Sequence, residues 1–301
     1  MWHLGWHIHP RLRELPQTRR GMASNIRSPR VRAARALAKR ALRERSRQFL
    51  AEGPQAVREA LRYRSERGAG THGGLTELFV TGSALSRHSD LVDAAAAAGV
   101  PVHEISGELM AELAQTVTPQ GLLAVCPFID VPLDTLISAG PRLLVVLANV
   151  RDPGNAGTVL RTADAAGAVG VIFAAASVDP YNSKCVRSSA GSLFHVPLVT
   201  GISAGHAVSA LRGAGVTVLA ADGSAKLGLD QLDASGQLGD PTAWLFGNEA
   251  WGLPGDLVGL ADQAVAVPIY GQAESLNLAA AAAVCLYASA RAQVGGAAQS
   301  R

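Results

Sequence analysis

The stretch GNEAWGLPGDLVGLADQAVAVPIYGQAESLN, residues 247–277, decides the fold of the second half of this chain. It begins directly after the apolar run Trp244–Phe246 and contains a second apolar run, Ala264–Val267. Polar or glycine-containing loops follow both runs, and the stretch leads into the alanine-rich run Leu278–Val284. Ligands of open parallel sheets bind beside the carboxyl ends of the strands, so these loops are candidate site segments.

Three short groups of residues within this stretch carry the signal. Gly247-Asn248-Glu249 begins it, where glycine allows a ligand to approach the backbone closely and Glu249 is a candidate acceptor for loop amides. Val267–Gly271 (VPIYG) and Glu274–Asn277 (ESLN) follow. Two polar side chains around Leu276 exceed what one helix cap requires, so we expect a binding role for this segment.

A further group lies well upstream of this stretch. Asn155-Ala156-Gly157 and Arg161-Thr162-Ala163 follow Leu143–Leu147, a continuous apolar run that is typical of a strand covered on both faces. Asn155 can cap the helix that follows, which is its structural alternative. Arg161 lies within the first two turns, where the helix dipole does not favour a cation. Arg161 is therefore a candidate functional residue, and a surface arginine paired with Asp164 is the alternative.

Together these groups resemble, in order, the three signature motifs of the SpoU (TrmH-like) branch of the SPOUT RNA methyltransferases, over residues 142–292. The resemblance implies methyl transfer from S-adenosylmethionine to a ribose 2′-hydroxyl of RNA, a homodimer, and a deep trefoil knot that holds the cofactor. It implies that Arg161 acts on the hydroxyl; we prefer orientation by the cation to a base role, because guanidinium stays protonated. Thr158 departs from the family pattern, in which a small apolar residue is usual. The other implied residues are Asn155, Glu249, Ser275 and Asn277 in the active site, and Gly247, Val267, Ile269 and Leu276 at the cofactor.

The N-terminal part resembles the ribosomal-protein L30e-like substrate-binding domain of part of this family, over about residues 45–128. Phe49–Gly53 (FLAEG) and Thr118–Gly121 (TPQG) carry that resemblance. It implies ribosomal RNA as the substrate ahead of transfer RNA, which is the alternative within the class. A non-catalytic RNA-binding or ribosome-assembly protein is the alternative from a different class, and the retained polar residues argue against it.

The charge distribution is strongly asymmetric. Residues 1–65 contain 16 Lys and Arg against 4 Asp and Glu, a net charge of +12, whereas the rest of the chain carries −9. This asymmetry suits a polyanionic partner such as RNA, with a solvated arginine-rich helix as the alternative. The candidate phosphate contacts are Arg40, Arg43, Arg45 and Arg47 in the predicted basic helix Ser28–Gln48, and Lys184 and Arg187 in the segment Asp179–Gly191.

Strands and helices alternate along the chain, which predicts an α/β protein with a mostly parallel C-terminal sheet and helices on both faces. We expect an RNA substrate-binding domain over residues 22–130, with the basic helix and the L30e-like fold. A linker over residues 131–141 and a methyltransferase domain over residues 142–294 follow. Residues 1–21 and the tail 295–301 are expected to be disordered.

The sequence argues against a disulfide framework, a metal site, a membrane span and a dinucleotide-binding motif. Cys126, Cys185 and Cys285 are far apart, which argues against a disulfide framework and a zinc site and favours the reducing cytoplasm. No metal site is expected. We find no apolar stretch near the ~20 residues that span a bilayer, so no membrane partner is expected. Residues 154–157 do not complete the GxGxxG fingerprint of dinucleotide-binding enzymes.

Overall fold

The computed structural model describes residues 20–22, 28–66, 74–114 and 116–299, which form two α/β domains. The strands are β1 (Arg20–Met22), β2 (Gln48–Glu52), β3 (Glu77–Thr81), β4 (Val102–Ile105), β5 (Leu122–Pro127), β6 (Leu143–Leu147), β7 (Gly170–Phe173), β8 (Leu198–Thr200), β9 (Thr217–Ala221), β10 (Leu227–Gly228), β11 (Thr242–Phe246) and β12 (Gln263–Ala266). The helices are α1 (Pro29–Ala36), α2 (Arg40–Ser46), α3 (Pro54–Glu66), α4 (Gly82–Arg87), α5 (Ser89–Ala97), α6 (Gly107–Leu113), α7 (Leu133–Ser138), α8 (Pro153–Ala165), α9 (Ser183–Ser188), α10 (Ala204–Gly213), α11 (Leu229–Ala234), α12 (Gly255–Leu260) and α13 (Leu278–Gln299).

The first domain is built on a five-stranded mixed sheet in the order β1-β4-β3-β5-β2. Strands β1, β4 and β3 are parallel, and β5 is antiparallel to both of its neighbours. Successive side chains of a strand face opposite sides, so Leu78 and Val80 of β3 enter one core while Phe79 enters another. Val31 of α1 and Met110 of α6 pack in the core that contains Phe79. This domain therefore has helices against both faces of its sheet.

The second domain is a seven-stranded sheet in the order β10-β12-β9-β11-β6-β7-β8, with every neighbouring pair parallel. All five residues of β6 are buried. Val145 and Leu147 face a core that includes side chains of α8 and α13. Leu144 and Val146 face the opposite core, which includes side chains of α7 and α10. The predicted parallel sheet with helices on both faces is confirmed.

A buried ion pair joins the two domains. The Arg43 guanidinium on α2 donates to Asp179 Oδ2 from Nη2 at 2.6 Å and from Nε at 3.0 Å. Its Nη1 donates to the carbonyls of Leu37 and Ala38. Only 5% of the Arg43 side chain and 9% of the Asp179 side chain are exposed. The prediction that Arg43 contacts RNA phosphates is wrong, because its guanidinium is buried between the domains and occupied there.

Several predicted segments differ from the structure. The basic stretch Ser28–Gln48 is not one helix, because α1 ends at Ala36, α2 starts at Arg40, and Gln48 already belongs to β2. The stretch predicted as a linker contains α7, whose Leu133 is buried in the core. Of the predicted disordered extension, residues 1–19 lie outside the described residues, but residues 20–22 form β1. Residues 295–299 of the predicted tail belong to α13, and residues 300–301 lie outside the described residues.

Helix α13 is long and apolar enough to cross a membrane by length and composition, which differs from the expectation drawn from the sequence. Its Ala282, Cys285 and Leu286 are fully buried in the core of the second domain. Its Ser289 hydroxyl accepts a hydrogen bond from Trp244 Nε1 at 2.9 Å. Because the core helix of a soluble protein passes the same test, length and composition are weak evidence for a membrane segment.

Candidate active site

A cavity of about 430 Å³ lies at the carboxyl ends of β9, β11 and β12, beside the start of α13. This is the edge at which open parallel sheets bind ligands. Seven residues that the sequence singled out line it: Gly247, Glu249, Val267, Ile269, Ser275, Leu276 and Asn277. The loops that follow β11 and β12 therefore converge on one site, although long stretches of chain separate them.

Gly247 is required by its own loop. Asn248 and Gly252 form an antiparallel bridge, with Asn248 N donating to Gly252 O at 2.8 Å and Gly252 N to Asn248 O at 3.0 Å. A Cβ on Gly247 would lie 2.4 Å from the carbonyl carbon and oxygen of Gly252. Backbone atoms cannot move away as a flexible side chain can. Glycine is therefore needed at position 247 because the backbone of Gly252, in the same loop, lies too close for a side chain.

The walls of the cavity combine apolar side chains with unpaired backbone groups. Val267, Ile269 and Leu276 contribute apolar surface. Within the described part of the chain, residues 269–276 make no hydrogen bond to another backbone group. Their free N–H and C=O groups can bond a ligand, because backbone polar groups seek partners. Such a site suits a flat ring with an apolar face and a donor–acceptor edge, and adenine has this chemistry.

A hydrogen-bonded chain connects this cavity to helix α8. Asn155 Nδ2 donates to Glu249 Oε1 at 3.2 Å, and Asn277 Nδ2 donates to Asn155 Oδ1 at 3.1 Å. Asn277 also caps α13, since its Oδ1 accepts from Ala279 N. Asn155 is not the cap of α8: Asp152 accepts from Asn155 N at 2.8 Å, which leaves the Asn155 side chain free for the site.

Glu249 braces the loop that precedes α8. Its carboxylate accepts from the backbone N–H groups of Arg151 and Asp152, each at 3.3 Å, besides Asn155 Nδ2. The expectation that Glu249 accepts hydrogen bonds from loop amides agrees with its contacts to the N–H groups of Arg151 and Asp152. Both of its oxygens are occupied, so the carboxylate holds two loops together.

Arg161 is a free cation on the same helix. It is exposed, and its guanidinium makes no hydrogen bond or ion pair within the described residues. The alternative pairing with Asp164 does not occur, because Asp164 accepts from His195 Nδ1 at 2.8 Å. Six residues separate Asn155 from Arg161, which is roughly 9 Å along a helix axis. Arg161 is therefore a cation without a partner among the described residues, on the helix that Asn155 links to the cavity wall.

The other predicted cations have partners in most cases. Lys184 donates to Asp152 at 2.7 Å, and Arg187 lies 3.4 Å from Glu52. Arg47 pairs with Asp130 at 2.8 Å and lies over the Phe128 ring, and Arg40 pairs with Glu44 on the surface. Arg45 is exposed and unpaired among the described residues. The Lys184 hydrogen bond, and then that from Asn155 N, holds the pKa of the Asp152 carboxyl below its usual value.

Three polar residues of the site were given no role in the sequence analysis. Asp152 caps α8, and the Asp-Pro pair that starts this helix is a recognised helix-start signal. Asn248 is buried and donates from Nδ2 to Asn149 O at 2.9 Å, which ties the β11 loop to the β6 loop. Asp222 lines the cavity after β9. Asn248 belongs to a group that the sequence singled out, but its contact with Asn149 and the position of Asp222 at the cavity depend on strand order, which no local pattern indicates.

Comparisons with known proteins identify the family of this chain. The sequence model of the SpoU rRNA Methylase family matches residues 142–287, and that of the MRM3-like substrate binding domain matches residues 28–124. The 23S rRNA (guanosine(2553)-2′-O)-methyltransferase RlmP of Bacillus subtilis strain 168 is 32% identical over 245 residues, covering 81% of this chain and 89% of that relative.

Solved structures are similar over nearly the whole chain. The AdoMet-bound rRNA methyltransferase from Sinorhizobium meliloti matches with a TM-score of 0.76 at 29% identity, covering 91% of this chain and 98% of the other. The SpoU methyltransferase AviRb from Streptomyces viridochromogenes, in complex with AdoMet, matches with a TM-score of 0.74 at 30% identity, over 89% and 100%. The two family models, the extent of the RlmP match and the arrangement of the motif residues agree: this chain belongs to the SpoU rRNA methylase family.

Proposed function

We propose that this protein is an S-adenosylmethionine-dependent methyltransferase that methylates a ribose 2′-hydroxyl in 23S ribosomal RNA. One observation carries the proposal: Asn155 of α8 is hydrogen-bonded to Asn277 at the cavity, which fixes the helix bearing the free Arg161 beside that cavity. The substrate class follows relatives named as 23S rRNA 2′-O-methyltransferases, among them RlmP and the RlmB of Bordetella pertussis.

The cavity fits the cofactor by its chemistry. Val267, Ile269 and Leu276 would pack on the adenine, and free backbone groups between residues 269 and 276 would bond its edge. Gly247 would contribute through the loop conformation it permits. When bound, S-adenosylmethionine supplies an electrophilic methyl group on a sulfonium.

Arg161 would bind the reacting ribose. Its guanidinium is protonated and has five donors, so it can hold the 2′-hydroxyl in place and stabilise the negative charge that develops on that oxygen. The absence of an internal partner among the described residues leaves those donors available. Ser275, an exposed hydroxyl at the cavity, would add a hydrogen bond near the same atoms. Asn155, Glu249 and Asn277 would position α8 against the cofactor.

The family's deep trefoil knot and homodimer are part of this proposal. In support of the knot, α13 follows β12, which lies next to the edge strand β10, yet α13 packs back against α8, β11 and β6 in the middle of the domain. In support of the dimer, α13 exposes Val284 and Tyr287, three residues apart on one helix face, and Tyr270 is also exposed. Size-exclusion chromatography with light scattering tests the dimer.

We place the enzyme in the cytoplasm. Cys126, Cys185 and Cys285 are free thiols, as is usual in a reducing compartment. Ribosomal RNA is accessible there, which suits the proposed substrate.

The test is methyl transfer with the purified protein. We expect label from S-adenosylmethionine to enter 23S rRNA, and nuclease digestion to recover it in one 2′-O-methylated nucleotide. Calorimetry with S-adenosylmethionine separates this function from that of a non-catalytic RNA-binding protein, which would give no binding heat. Absence of both cofactor binding and label incorporation would overturn the proposal. Label in transfer RNA alone would show that transfer RNA, and not ribosomal RNA, is the substrate.

A further inference from the structure

A second pocket, of about 280 Å³, lies between the two domains. Glu52, Gly53, Thr118 and Gln120 of the first domain and Arg187 of α9 contribute to its lining. The segments FLAEG and TPQG, which the sequence singled out, therefore meet at this pocket. A Cβ on Gly53 would lie 3.1 Å from Gln120 Oε1, so the two segments are in contact. The proposed reaction leaves this pocket without a role.

Glu52 is the unusual group in this pocket. Only 8% of its side chain is exposed. Its Oε2 lies 3.4 Å from Arg187 Nη1, and its Oε1 has no hydrogen-bond partner among the described residues. No side-chain oxygen or nitrogen among the described residues is both sealed from solvent and unpaired, so Oε1 is open to solvent, and Glu52 lines the pocket. Burial raises the pKa of the Glu52 carboxyl, although the Arg187 charge acts in the opposite direction.

The burial of Glu52 is not explained by a role of the Glu52–Arg187 contact in holding the two domains together. At 3.4 Å it is long for a charge-assisted hydrogen bond. The Arg43–Asp179 pair already joins the domains at 2.6 Å with both side chains buried. A buried carboxylate with one loose partner is costly, so a ligand that donates to it would compensate.

The pocket is close to the proposed site of reaction. Helix α9 carries Arg187 towards the pocket, whereas its Ser188 hydroxyl donates to Pro153 O at the start of α8. A Cβ on Gly157 of α8 would lie 2.0 Å from Ser188 Oγ, so the two helices are in direct contact. One short helix thus separates the pocket from the helix that bears Arg161, and an RNA strand lying across α9 would reach both.

We propose that this pocket binds an unstacked guanine base of the RNA substrate, with Glu52 as the group that selects it. Guanine presents two adjacent donors on its Watson–Crick edge, N1–H and N2–H₂, which match the two oxygens of a carboxylate. Its neighbouring O6 accepts, and the Gln120 amide and the Arg187 guanidinium are donors on the pocket wall. Single-stranded RNA is read through such unpaired base edges. This inference rests on the proposed RNA substrate.

The test uses binding without S-adenosylmethionine, so its outcome is independent of methyl transfer. The probe is a short, labelled oligouridylate that carries one guanosine, compared with the same oligomer carrying inosine, which lacks the N2 amino group. We expect the wild-type protein to bind the guanosine oligomer at least ~5-fold more tightly by fluorescence anisotropy. Equal affinities would overturn the proposal without any variant. A preserved preference in a protein that transfers no methyl group would overturn the proposed function alone.

Two matched variants separate base selection from domain docking. Glu52→Gln should abolish the guanosine preference, because the amide nitrogen cannot accept. Asp130→Asn alters a carboxylate that receives hydrogen bonds from Arg47 and Tyr181 across the domain junction, away from this pocket, and should keep the preference. Equal loss in both variants, or none in Glu52→Gln, would overturn the proposal. If Glu52→Gln unfolds in a melting experiment, Gln120→Ala replaces it, and an unchanged preference in that variant counts against the pocket.

Discussion

At the scale of single residues, the free guanidinium of Arg161 makes the sharpest prediction. Arg161→Ala should lower turnover roughly 10²–10³-fold, which corresponds to about 2.7–4 kcal/mol of lost transition-state stabilisation. Affinity for S-adenosylmethionine should be unchanged, because Arg161 does not line the cavity. Arg161→Lys keeps the positive charge but loses the planar guanidinium, so its turnover should lie between that of the wild type and that of Arg161→Ala. Wild-type turnover by Arg161→Ala, at saturating RNA and cofactor, would remove Arg161 from the reaction.

Asn155 makes a second prediction, through its two side-chain hydrogen bonds. Asn155→Ala loses both, and at about 0.5–1.5 kcal/mol each we expect roughly 10-fold slower methyl transfer. Asn155→Asp should be slower still, although it is nearly isosteric, because its carboxylate would lie about 3.2 Å from Glu249 Oε1 and repel it. Single-turnover rates of the two variants decide this. An aspartate variant faster than the alanine variant would show that the amide bridge does not position α8.

Gly247 makes a third prediction, which concerns stability as well as binding. A side chain there meets the Gly252 backbone at 2.4 Å, so Gly247→Val should destabilise the domain by about 1–3 kcal/mol and also weaken S-adenosylmethionine binding. Thermal unfolding and calorimetry measure the two effects. Gly259→Ala is the control, since its Cβ would meet nothing within 4 Å. Weakened binding at an unchanged melting temperature would instead indicate that the glycine serves the ligand directly.

At the scale of elements, His195 joins α3 to α8. Its Nε2 contacts Glu59 Oε2 at 3.1 Å, and its Nδ1 contacts Asp164 Oδ2 at 2.8 Å. Burial lowers the pKa of His195, but the hydrogen bonds with Asp164 and Glu59 outweigh it, so the pKa is raised. A raised pKa means that the folded state binds the proton more tightly than the unfolded chain does. The stability this contributes is complete below the unfolded value of about 6.5 and disappears as pH rises through the folded value.

The resulting prediction is a stability difference that depends on pH. His195→Gln should lower the melting temperature at pH 6 by more than at pH 9, because only the protonated imidazole gains from both carboxylates. His206→Gln is the control, an exposed histidine on α10 without a carboxylate partner among the described residues. A penalty that is the same at both pH values would show that His195 contributes packing alone.

The elements also show where sequence reasoning ends. Continuous apolar runs predicted β6 and β11 because their residues are buried on both faces. The break between α1 and α2 has no glycine or proline signal. Arg47, which follows the last residue of α2 and caps the helix, has a φ of 53°, a conformation for which glycine is usual. Burial of Leu37 and the Arg43–Asp179 pair accompany this break. These are tertiary contacts, which override local helix propensity, so the local sequence pattern does not predict the break.

At the scale of the whole molecule, strand order assembles the site. β11 is the neighbour of β6, so the loop after β6 lies beside the loop after β11, and Glu249 can reach Asp152 N and Asn155. The motif residues could be predicted from the sequence because they lie at the ends of strands. The contacts between them could not be predicted, because the order β12-β9-β11-β6 in the sheet differs from the order of these strands along the chain.

The charge asymmetry is also a property of the whole molecule, and the structure shows which cations of the basic segment are free to contact RNA. Arg43 and Arg47 have internal partners, and Arg40 pairs with Glu44. Three other cations of the basic segment are exposed and unpaired among the described residues: Arg32, Lys39 and Arg45. Arg45 is the one of these three that was also predicted from the sequence, and we expect Arg32, Lys39 and Arg45 to be the phosphate contacts of this segment.

Converting Arg32, Lys39 and Arg45 together to Gln should weaken RNA binding and flatten its salt dependence. Each phosphate contact contributes roughly 0.7–0.9 to the slope of log affinity against log salt, so three contacts contribute about 2–3. S-adenosylmethionine affinity should not change, because the cavity lies in the other domain. The matched control, Arg43→Gln, should lower the melting temperature instead, since it leaves Asp179 buried without its partner. A triple variant with the wild-type slope would mean that these cations are only solvated, and Arg161, Lys184 and Arg187 would then be the next phosphate contacts to test.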